Sequence, residues 1–127
     1  MTHQSFIYDQ HQENQDWLKR LDFYKEEISI LRERLDEVTS KNNQADFLKA
    51  VEHFQNQLLI QRNNIDQVAH DIKLSEKKLV AEIEHNPVAV DHRKMDHHEA
   101  EADFMIFFEK NFANLRMEFN QFLAKWM

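Results

Sequence analysis

No glycine and no cysteine occur in this chain of 127 residues, and there is one proline, Pro87. Hairpins and tight sheet corners draw on glycine where the backbone must turn through positive φ, so a chain without any is poorly equipped for them. Helices joined by short polar loops have no such need, and the fold class expected is all-α. The missing cysteine excludes disulfides and thiolate metal sites, and fits a reducing compartment. The longest apolar run, Phe104-Met105-Ile106-Phe107-Phe108, falls far short of the ~20 residues a membrane span requires. Met1-Thr2-His3-Gln4-Ser5-Phe6 lacks the charged start and apolar stretch of a secretory signal, so a cytoplasmic location is expected. Basic residues do not cluster, and the formal net charge is −7. Neither nucleic acid nor an anionic membrane is therefore an expected partner.

What is present is heptad spacing. Trp17, Leu21, Tyr24, Ile28, Leu31, Leu35 and Val38 recur at alternating steps of four and three, which keeps one stripe facing a partner helix. The spacing predicts a first helix over about 10–40, with Asp9 and Gln12 as a capping box at its start. Thr39-Ser40-Lys41-Asn42-Asn43 is a polar, turn-prone stop. Asn43 then reads as the N-cap of a second helix over about 44–85, with Asp46 favoured near the positive end of the helix dipole. Its seam runs Phe47, Val51, Phe54, Leu58, Gln61, Ile65, Val68, Ile72, Ser75 and Leu79, with Gln61 and Ser75 as polar interruptions that help set register.

Pro87 closes that helix, because proline cannot continue the hydrogen-bond ladder. A third helix over about 88–127 follows, starting at Pro87 or capped by Asp91, with its seam at Met105, Phe108, Phe112, Leu115, Phe119, Phe122 and Trp126. The architecture expected is a single domain of three long antiparallel helices in a coiled-coil-like bundle. A first helix of about 30 residues is shorter than the two that follow it, at ~1.5 Å of rise per residue. Residues 70–85 and 91–103 are thus expected to project as a two-helix arm, unless the first dozen residues fold back over them. The competing arrangement is a kinked but continuous second and third helix packed between chains.

Two groups of residues suggest function. His85, His92, His97 and His98 lie among acidic neighbours, and antiparallel packing would bring Asp66 and His70 near Glu99 and Asp103. Carboxylates and imidazoles facing each other between helices are how bundle metal sites are built. Di-iron bundles, however, carry paired Glu-x-x-His motifs, and this chain has only Glu82 to His85. A solvated charged surface explains the same residues, and a pH sensor is a further alternative. The second group is apolar. Phe104 and Phe107 belong to a run that is apolar around the whole helix, and Phe23 and Ile30 occupy the outward heptad position of the first helix. Such groups mark protein contacts when exposed. Serine nucleophiles and phosphate loops both depend on glycine-bearing turns, so catalysis has no foothold here. The reading is a non-enzymatic helical scaffold or interaction module, self-associating as a homodimer through Phe23, Ile30, Phe104 and Phe107 and needing no cofactor. A metal-binding bundle using Asp66, His70, Glu99 and Asp103 is the alternative.

Overall fold

A computed structural model describes residues 3–85 and 98–126, with side chains described from Asp9 onward. Among the described residues there are three helices: α1 (His3–Thr39), α2 (Ala45–His85) and α3 (His98–Trp126). No strand occurs among the described residues. The heptad seams form one core. Leu21, Ile28 and Leu35 of α1, Phe47, Leu58 and Ile72 of α2, and Met105, Phe112 and Phe119 of α3 are all buried in it.

Residue pairs fix the helix directions. Asn14 and Gln15 meet Glu76 while Lys25 meets Asp66, so α1 and α2 run in opposite directions. Phe47 packs on Phe122, and Ser75 bonds Glu101, so α2 and α3 do the same. Between α1 and α3, Trp17 meets His98, Tyr24 meets Glu109 and Glu27 meets Arg116, which makes those two parallel. The result is an up-down-up bundle.

Aromatic side chains supply much of the core. Phe54 packs edge-on against Phe119 at 5.3 Å between ring centroids, and Tyr24 lies 4.9 Å from Phe112. Edge and tilted contacts of this kind match the ring quadrupoles, which disfavour a face-to-face sandwich. The turn after α1 is tied by its own polar side chains. Thr39 Oγ1 donates to the Leu35 carbonyl, and Ser40 Oγ donates to that of Glu37. The Asn42 amide reaches both the Val38 carbonyl and that of Trp126, joining this turn to the last turn of α3.

Three expectations change. Helix α1 begins at His3, not near residue 10, and Asp9 lies inside it. Nothing in that stretch breaks a helix, and Gln10 and Asn14 continue the seam spacing with polar side chains. Helix α2 is entered from Gln44 rather than Asn43, since the Leu48 N–H donates to the Gln44 carbonyl. The longer α1 also covers much of the expected arm: its residues 11–17 reach Glu76 and His98. Pro87, Asp91, His92 and His97 lie outside the described residues, as does the connection between α2 and α3.

Candidate functional site

Two surfaces stand apart from the rest, one apolar and exposed, the other polar and buried. The first follows from what surrounds Phe23 and Ile30. Every exposed residue of α1 from Lys19 to Glu37 is charged except Phe23, Ser29 and Ile30. Phe23 is 64% exposed and Ile30 50%. They are seven residues apart, so they lie on one line along the helix. Phe23 borders a shallow hollow between α1 and α3 formed with Lys19, Arg20, Tyr24 and Glu109. On α3, Ile106 precedes Glu109 by three residues and so occupies the same flank. It is 70% exposed, and its neighbour Phe107 is 66% exposed. Among the exposed positions 106–121 of α3, only Lys110 and Glu118 are charged. A phenylalanine side chain presents about 150–250 Å². Phe23, Ile30, Ile106 and Phe107 together leave on the order of 400 Å² of apolar surface, the size at which patches mark contacts.

Phe104 behaves differently. Its ring is half-buried, stacked on Phe108 at 6.0 Å and packed against the core. Together with Val68, Leu74 and Ala100 it lines a groove between α2 and α3 with a cavity volume of about 570 Å³. Its place in the expected interaction surface is therefore taken largely by Ile106. Apolarity all around the helix hides which of these residues α2 will cover, and heptad position gives the answer: Phe104 stands next to the seam, Ile106 and Phe107 further out.

Below the apolar surface, the α1–α3 seam is closed by ion pairs. Arg20 bonds Glu109 at 2.9 Å, and the Tyr24 hydroxyl donates to the other oxygen of Glu109 at 2.7 Å. Arg116 grips Glu27 through both Nε and Nη2 while its guanidinium lies 5.2 Å from the Phe112 ring centre. Burial, and then the bond to Glu109, push the Tyr24 hydroxyl up to about 12. The sign follows from linkage. Unfolding frees a phenol that ionises near 10, so between about pH 10 and 12 the unfolded chain holds fewer protons and stability falls as pH rises. In a Tyr8→Phe variant, which isolates Tyr24, the phenolate absorbance should rise with a midpoint near 12. A midpoint near 10 would contradict the Tyr24–Glu109 bond.

The buried polar surface lies at the end of the bundle where α1 and α3 begin. Gln10, Asn14, His98 and Glu101 are the polar or charged residues buried in the described structure. The His98 ring stacks on Trp17 at 4.8 Å, and its Nε2 lies 3.4 Å from Glu13. Ser75 Oγ donates to Glu101, so the polar interruption in the α2 seam finds its partner across the bundle. Glu76 accepts from Asn14 Nδ2 at 3.3 Å and Gln15 Nε2 at 3.0 Å, and pairs with His11 Nδ1 at 2.6 Å.

The carboxylate–histidine quartet does not assemble. Asp66, His70, Glu99 and Asp103 are all exposed, and Asp66 bonds Lys25 of α1 at 2.7 Å. That bond holds the Asp66 carboxyl below the usual carboxylate range. Among the described residues no three His, Asp or Glu side chains converge as a metal site would require. The four residues sit at outer heptad positions of α2 and α3, where antiparallel packing cannot turn them toward each other. No protein-family model matches this chain, and no curated protein or solved structure is significantly similar to it.

Proposed function

We propose that this chain is a non-enzymatic helical scaffold that works by binding protein, and that its first partner is a second copy of itself. The observation that carries this reading is the exposure of Phe23 and Ile30 on α1 and of Ile106 and Phe107 on α3, the most exposed large apolar side chains being Ile106, Phe107 and Phe23. Leaving that surface in water forfeits roughly 25 cal/mol for each Å² of apolar area. Two-fold dimers are the commonest soluble oligomers, and in them one patch on each subunit covers its own equivalent. Charge supports the same choice of face. Two chains at −7 repel each other, and the outer face of α3, with Lys110 and Glu118 as its exposed charged residues over 106–121, is a weakly charged surface they can bring together. The acidic balance opposes partners made of nucleic acid or anionic lipid, and no described helix is long and apolar enough to cross a membrane. A reducing, cytoplasmic setting suits a chain with no cysteine. Sedimentation equilibrium at micromolar concentration tests the proposal. The expected mass is twice the 15.4 kDa of one chain, and a clean 15.4 kDa overturns it.

A further inference from the structure

The seam of α1 changes character at Trp17. From there on it is Trp17, Leu21, Ile28, Leu31, Leu35 and Val38, buried and apolar, with the half-buried Tyr24 among them. Before it the seam positions with described side chains are Asn14 and Gln10. The contacts beside them are polar too, since one carboxylate, Glu76 of α2, receives His11, Asn14 and Gln15. Glu13 approaches His98 of α3. Polar contacts exchange for water at small net cost, whereas buried apolar contacts cannot.

From this difference we infer that residues 9–15 of α1 form a strap, held mainly by Glu76, that lifts from α2 and α3 as a unit while the helix beyond Trp17 stays docked. Of the surface beneath it, Ser75, Glu76, His98 and Glu101 are polar and Leu79 is apolar, so lifting bares one buried apolar side chain among groups that water solvates. The state of the strap decides whether this end of the rod presents three helices or two. The inference rests on the buried polar contacts and is independent of self-association.

Native-state hydrogen exchange with increasing urea tests it, because local openings expose little surface and respond weakly to denaturant, whereas global unfolding responds strongly. Amides of residues 9–14 should share one exchange rate, insensitive to low urea and at least ~100-fold faster than that of residues 24–35. Glu76→Ala should raise the rate for 9–14 by a further ~10-fold and leave 24–35 unchanged. Three results overturn the strap: a common urea dependence for both segments, rates graded residue by residue as in simple fraying, or no response of 9–14 to Glu76→Ala. Should Glu76→Ala fail to fold, the urea series on the unaltered chain decides alone.

Discussion

Phe112→Ala is expected to lower the unfolding free energy by about 3–5 kcal/mol, the usual cost of emptying a buried aromatic site. Phe112 has no exposed surface and belongs to the core. Its ring lies 4.9 Å from Tyr24 and 5.8 Å from Phe108, and carries the Arg116 guanidinium on its face. Removing it opens a cavity and also strips the support under the Arg116–Glu27 pair, which puts the cost at the upper end of that range. Phe107→Ala provides the control on the same helix. Its ring is two-thirds exposed, so its loss should change the stability of a single chain by about 0.5 kcal/mol or less. Urea unfolding at a concentration low enough to dissociate dimers separates the two cases. Equal losses would mean that Phe107 is buried within the chain and that the apolar face is part of the core.

Phe23→Glu combined with Phe107→Glu should raise the dimer dissociation constant by about 100-fold or more, equivalent to ~2.7 kcal/mol. Each substitution replaces an apolar anchor with a charge that must be desolvated on association. The pair also makes an already acidic chain more so, and places carboxylates of both copies against one another. Neither residue supports the core, so the helical content should not change. Leu59→Glu is the matching control, since Leu59 is a similarly exposed apolar residue, but on α2. It should leave the sedimenting mass unaltered. A double variant that still sediments as a dimer would remove this face from the interface.

Helix number and order were legible because the core obeys a rule that sequence displays. From Trp17 to Val38, Phe47 to Leu79 and Met105 to Phe122, apolar residues recur with the helical period and every helix is long. The exposure of Phe23 and Ile30 was legible for the same reason, since a heptad position fixes direction once the seam is known. The start of α1 was not. Gln10 and Asn14 hold seam positions but are polar, and a search for apolar periodicity stops at Trp17. Glu76 was equally hidden: as a residue beside the seam it looks like any solvated charge until α1 arrives over it. Asp66, His70, Glu99 and Asp103, the alternative metal grouping, present the opposite case. Their spacing places them on facing helices, but proximity along two rods does not turn side chains inward, and Lys25 had the shorter reach to Asp66.

An up-down-up arrangement of three helices has an electrical consequence. Each helix carries the equivalent of about half a positive charge at its N-terminus and half a negative charge at its C-terminus. Helices α1 and α3 start at the same end while α2 finishes there, so two moments cancel and one survives along the rod. Peptide dipoles of ~3.5 D each, summed over a helix the length of α3, give an axial moment on the order of 100 D. Two rods laid side by side in opposite directions would annul it, whereas rods aligned in the same direction would double it. Electric birefringence of the proposed dimer would therefore report the relative orientation of its two chains.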